Sequence, residues 1–229
     1  MSVTFGTPVI FDGYENGSGV YSFPSITAVS GQPIIVCSTS FQQSRIVNSI
    51  TDNFSTPYAW VQVCGTTSDP DRTIEIWIGT GGAGTSGVIT VNTSATGGYP
   101  MSGYAVSCLG ASTNAGLAAI DVSNTSNTGN STTMTTAAVT PSAANNGAVA
   151  FVSNGANSSI NADPGAPWVA TRIAYAGGAT KALGAGNYPS PPASSLSTAW
   201  TQNTAVLYVS AIAVVKAKPS PLQQSLMIN

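Results

Sequence analysis

Apolar residues along this chain recur with a period of two, in short runs separated by clusters of Gly, Asn, Ser and Pro. Residues 57–64 (PYAWVQVC) alternate Tyr58, Trp60 and Gln62 against Ala59, Val61 and Val63. In 73–78 (TIEIWI), Ile74, Ile76 and Ile78 line one face while Glu75 and Trp77 line the other. Successive side chains of an extended strand point to opposite faces, so this alternation predicts half-buried strands. Further strands are predicted at 32–41 (QPIIVCSTSF), 88–92 (VITVN), 104–109, 148–152, 169–175 and 205–215. The last is apolar on both faces, which places it at the centre of a sheet. Nowhere does a 3.6-residue period persist over three turns, and Gly or Pro breaks the Ala-rich stretches.

The intervening segments complete an all-β reading. Residues 79–87 (GTGGAGTSG) read as the hairpin loop between two of these strands. The polar, low-complexity run 123–136 (SNTSNTGNSTTMTT) reads as a long surface loop or edge excursion, and 187–197 (NYPSPPASSLS) as a stiff proline-rich loop. Many short strands at this spacing predict an antiparallel β-sandwich, jelly-roll-like, over residues 30–216. Residues 1–29 are expected to be an N-terminal arm or edge strands, and 217–229 (AKPSPLQQSLMIN) a C-terminal arm. In that arm Pro219 and Pro221 favour an extended backbone, and Leu222, Leu226, Met227 and Ile228 are the candidate partner-docking side chains. No repeat of 20–50 residues is visible.

Composition then narrows the function. Lys, Arg, Asp and Glu form 6% of the 229 residues, against about 25% in an ordinary soluble domain. Yet 42% are hydrophobic and the mean hydropathy is +0.18, so the chain can build a core. Its surface must be covered by uncharged polar and small residues, which suits a molecule packed into an assembly or held outside a cell. Six scattered basic residues give no electrostatic footprint for nucleic acid, and none for an anionic membrane. The run 205–215 is too short to span a bilayer, and the first residues do not read as a secretion signal. Cys37, Cys64 and Cys108 each sit in a strand-like run and read as free buried thiols, with one disulfide plus a spare thiol as the alternative.

Candidate chemistry is sparse. The absence of His removes Ser-His-Asp and Cys-His catalysis, and no metal or other cofactor is expected. Asp69, Asp71 and Glu75, with Asp52, are the set from which a hydrolytic carboxylate pair could come, but Asp69-Pro70-Asp71 reads as a tight turn. The 79–87 segment lacks the Gly-Lys-Ser/Thr ending of a phosphate-binding loop. Trp60, Trp77, Trp168 and Trp200 could stack on sugars or anchor an interface, with Trp77 the foremost candidate.

The succession SITDN (49–53), EIW (75–77), GVITVNTS (87–94), AVSCLGAS (105–112) and AIDVS (119–123) resembles a β-sandwich type of phage virion proteins and some bacterial surface proteins. Phe54–Ser55 stand where that pattern carries Gly-Asn. The resemblance implies a non-catalytic virion structural protein, made in the host cytoplasm. A capsid decoration subunit is the expectation, with capsid or other virion proteins and further copies of itself as partners. A tail or fibre component, or a carbohydrate-binding adhesion module, is the alternative.

Overall fold

A computed structural model describes residues 1–14, 19–40, 46–68, 72–94, 100–154, 158–174 and 181–219. All of its sheets are antiparallel, and among the described residues the only helical element is a 3-10 turn at Gly116–Ala119. The first half contains β1 (Thr4–Phe5), β2 (Val9–Tyr14), β3 (Val20–Ser22), β4 (Ile26–Thr27), β5 (Ile34–Ser40), β6 (Val47–Asp52), β7 (Ala59–Ser68), β8 (Arg72–Thr80), β9 (Ser86–Gly87), β10 (Ile89–Thr93) and β11 (Pro100–Leu109). A large sheet runs β2-β11-β5-β8-β7, with β1 also paired to β11. A small sheet, β3-β10-β6, covers one face of it, and β4 pairs with β9 beside them.

The second half contains β12 (Ile120–Thr135), β13 (Gly147–Asn154), β14 (Ile160–Ala162), β15 (Val169–Ala174), β16 (Lys181–Pro189) and β17 (Ala199–Val215). Its large sheet runs β12-β17-β13-β16-β15. The pairing of β12 with β17 jumps from Ser131–Val206 to Thr133–Thr201, a bulge at which both strands bend. Beyond it the end of β12 and the start of β17, joined by β14, lie back over their own sheet, where Met134, Ile160 and Trp200 pack on Val152 and Tyr208.

The two halves share one topology. In each, counting eight principal strands, the large sheet holds the first, eighth, third, sixth and fifth strands in that order, and the small sheet the second, seventh and fourth. The match reaches individual residues. Val47 pairs with Thr93 and the Ile46 carbonyl accepts from the Ser94 N–H (3.0 Å), as Ile160 pairs with Gln202 and the Ser159 carbonyl accepts from the Asn203 N–H (3.0 Å). Trp60-Val61 and Trp168-Val169 enter the fifth strands. The single sandwich expected over 30–216 therefore resolves into two equivalent sandwiches, with 1–29 supplying β1 to β4.

These sandwiches join through their large sheets. Ile35, Cys37, Ile74, Ile76, Ile78, Tyr104 and Val106 face Val149, Phe151, Leu183, Ala185, Val209, Ala211 and Ala213. β7 packs on β12 while β2 packs on β15, and the shared topology exchanges these two contacts, so the halves are related as in a two-fold dimer. Both large sheets are consequently covered on both faces. That corrects the half-buried reading of 73–78: Glu75 is buried, and Trp77 half-buried, beneath the small sheet.

One loop expectation is also corrected, and another is decided between its two alternatives. Residues 79–87 form no hairpin between neighbours, because β8 lies in the large sheet and β10 in the small one. The polar run 123–136 is mostly the edge strand β12. Its Thr residues suit extended backbone, and an edge strand needs a hydrogen-bonded partner on one side only. Of 187–197, the first three residues finish β16, and Leu196 bridges to Val139.

Candidate functional site

The aromatic segment after β6 is built on one carboxylate. Asp52 accepts the backbone N–H groups of Phe54 (3.2 Å) and Tyr58 (3.0 Å) and the indole N–H of Trp60 (2.8 Å). The rings of Phe54, Tyr58 and Trp60 then stack in series, with centroids 5.1 and 5.9 Å apart. They lie on the glycine-rich segment 79–87. A Cβ on Gly79 would sit 2.8 Å from the Trp60 ring, on Gly82 2.1 Å from Tyr58, and on Gly87 2.7 Å from Phe54. The glycines are thus required by the rings they support.

Glu75 serves the other end of β6. Its carboxylate accepts the Val47 N–H (3.1 and 3.3 Å to its two oxygens) and the Trp77 indole N–H (3.2 Å). Burial pushes its pKa up, and the two N–H donors partly offset that rise. Asp52 lies five residues along β6 from Val47, roughly 16 Å at strand spacing, beyond the about 5–9.5 Å of a hydrolytic carboxylate pair. Asp69 and Asp71 lie outside the described residues, between Ser68 and Arg72, which pair with one another. Asp121 accepts from the Ser142 N–H (2.6 Å), the Ser142 hydroxyl (2.7 Å) and Asn146 Nδ2 (2.9 Å), tying a turn together. Among the described residues no three His, Cys, Asp or Glu side chains gather.

The four tryptophans do not form one platform. Trp60 and Trp77 are half-buried on one face of the β7–β8 pair, with exposed Gln62 paired to Trp77. Trp168 stacks edge-on against Tyr188 at 5.5 Å in the other half. Trp200 is fully buried over Gly184 and donates its indole N–H to Thr198, so it is core and not a candidate for glycan contact. Cys37 and Cys64 flank Ile76 from opposite neighbouring strands, about 10 Å apart across two strand spacings, and all three cysteines are free.

At the C-terminal end, Ala217 bridges to Ala111 and the Lys218 N–H donates to the Gly110 carbonyl (2.9 Å). Pro219 is exposed, whereas Pro221, Leu222, Leu226, Met227 and Ile228 lie outside the described residues. One feature was not legible in the sequence. A cleft of about 370 Å³ opens on the outer side of β11, lined by Val9, Thr27, Ala28, Val29, Ser107 and Leu109 among others. Its residues come from three separate segments, none carrying a motif. Comparison of the chain with protein-family models, curated proteins and solved structures finds no match in any of the three.

Proposed function

We propose that this chain is a structural subunit of a virus particle, a capsid decoration protein that binds the capsid surface through its sandwich faces and terminal segments. The repeated strand order carries this reading. In a jelly roll the first, eighth, third and sixth strands share one sheet and the second, seventh, fourth and fifth the other, an architecture used by viral capsid and lectin domains. Each half here differs only in keeping its fifth strand beside its sixth. The sparse charge agrees with life in an assembly, as does the engagement of Asp52, Glu75 and Asp121 in internal hydrogen bonds. An antibody against the chain, applied to gradient-purified particles from a culture carrying the gene, should decorate their surface. Unlabelled particles, with the chain found only in the soluble fraction, would sink the assignment.

A glycan-binding role is the second reading, favoured by one observation: Trp60 and Trp77 sit half-exposed with Gln62 beside them. Stacking on a sugar would change tryptophan fluorescence on titration with a glycan panel, and Trp77→Ala should abolish the change. A flat response across the panel would remove this reading.

A further inference from the structure

The duplication lets one aromatic place be compared with its own counterpart. Trp60 pairs with Gly79, and Gly79 with Ile34. Val169 pairs with Asn187, which puts Trp168 opposite Tyr188, and Tyr188 pairs with Ala148. Trp60 and Trp168 therefore hold the same place in the two halves, as do Val47 and Ile160, paired with Thr93 and Gln202. What differs is the connection between them. In the first half it is 48–59, which brings Asp52 onto the Trp60 indole N–H (2.8 Å) and sets the Tyr58 ring tilted against Trp60 at 5.9 Å. In the second half it is 161–167 (NADPGAP), shorter and without an aromatic residue. Its one carboxylate, Asp163, lies on Arg172 (3.1 Å) and not on the tryptophan.

Trp168 is left open as a result. Trp60, Trp77 and Trp200 donate their indole N–H groups to Asp52, Glu75 and Thr198. Among the described residues the Trp168 indole N–H has no acceptor and the Tyr188 hydroxyl has no partner. Both rings are half-buried and meet edge to face, at 66° with centroids 5.5 Å apart. Trp168 also rests on Gly186, where a Cβ would stand 3.3 Å from the indole, so the ring is held from beneath.

This combination suits one class of ligand. A partly exposed aromatic ring offers an apolar surface on which the C–H face of a sugar can stack, and sugar hydroxyls supply the oxygens that a free N–H and O–H require. Rigid aromatic side chains lose little conformational entropy on binding. The neighbouring charge is already committed. Arg172, further along the same face of β15, is engaged by Asp163 and by the carbonyls of Ile160 (3.4 Å) and Asn161 (2.9 Å), so its cation is not available to select an acidic sugar.

We propose that Trp168 and Tyr188 form a binding site for a neutral pyranose. Trp168 supplies the stacking ring, and its indole N–H and the Tyr188 hydroxyl supply hydrogen bonds to the glycan's oxygens. The site shares no residue with the Trp60–Trp77 reading, so either can fail alone.

The test is ¹H–¹⁵N NMR of the full chain, in which each tryptophan gives one indole signal and the signal missing from Trp168→Phe is that of Trp168. This signal should exchange with deuterated water before the other three. On titration with the methyl glycosides of glucose, galactose, mannose and N-acetylglucosamine it should shift saturably for at least one of them, with a Kd on the order of millimolar. Tyr188→Phe should raise that Kd about two- to tenfold through loss of one hydrogen bond. Tyr188→Ala should abolish the shift, with the other three indole signals in place showing that the fold is kept. A Trp168 signal unmoved by every neutral glycoside, or moved only by methyl glucuronide, would overturn the proposal. Movement of the Trp77 signal alone would overturn it in favour of the other reading. A Trp168 signal that shifts with protein concentration in the absence of sugar would mark the ring pair as a contact between copies, and would overturn it too.

Discussion

Single residues in this fold are constrained chiefly by rings, buried acids and close backbone. Gly82 meets the Tyr58 ring at a distance no Cβ tolerates, so Gly82→Ala must displace the aromatic series. Overpacking of this kind costs about 1–3 kcal/mol, and urea denaturation should show a midpoint lowered accordingly with an unchanged slope. Glu75 gives a pH signature. Its pKa is raised in the fold, so the folded state holds the proton to higher pH than the unfolded state does. Its contribution to stability therefore falls as pH rises from the ordinary carboxylate range through the raised value. The stability of the unmodified chain relative to Glu75→Gln should improve on going from pH 7 to pH 4.5. A difference that is flat or of opposite slope would show that the N–H donors outweigh burial. The thiols follow the same logic: burial raises all three pKa values, to about 12 for Cys64 and Cys108. Alkylation of the native protein should be slow at neutral pH, with three adducts appearing on unfolding, because the thiolate is the reactive form.

At the scale of elements, Asp52 holds the connection from β6 to β7. It replaces the missing partners of two backbone N–H groups and fixes the Trp60 indole. Hydrogen bonds to a charged acceptor contribute roughly 1.5–3 kcal/mol each in favourable cases, and this site is only part-buried. Asp52→Ala should thus lower stability by about 2 kcal/mol and blue- or red-shift Trp60 emission as its indole N–H loses its acceptor. Unchanged stability would show that water takes over the carboxylate's role. Strand identity here followed the alternation of residues such as Ile74, Ile76 and Ile78. Strand partnership did not: the segment 79–87 joins strands of different sheets, and polar 123–136 became a strand because β17 offered it a ladder.

Across the whole molecule, the shared core between the two large sheets makes the halves interdependent. Residues 1–111 or 112–219 expressed alone would each expose an apolar sheet face, including Ile76 and Tyr104 in one and Phe151 and Val209 in the other. Each piece should aggregate by itself, and co-expression should recover a soluble 1:1 complex that elutes with the mass of the full chain. Two soluble, independently cooperative halves would contradict the packing described above. The duplication itself was hidden because equivalent rows exchange side-chain volume. The row Trp60–Gly79–Ile34–Ser107 matches Trp168–Tyr188–Ala148–Val214, in which Gly has become Tyr and Ile has become Ala. Each half packs its own row against its own small sheet, so the strand order is kept while the residue at each position changes.

From the sequence alone came the all-β class, most strand positions, the thinly charged surface and the lack of any His-based chemistry. Each of these is a local or additive property: side-chain alternation, β-branching, turn residues, counts of charges. What only the tertiary structure decided depends on which residues meet across distance. Trp200 became core because the bent end of β17 lies over Gly184, while Trp77 stayed half-buried beneath the small sheet of the first half. Asp52, Glu75 and Asp121 became structural anchors according to which N–H groups the fold left facing them. The cleft beside β11 exists only because three segments distant in sequence, 6–9, 25–29 and 107–109, are packed side by side.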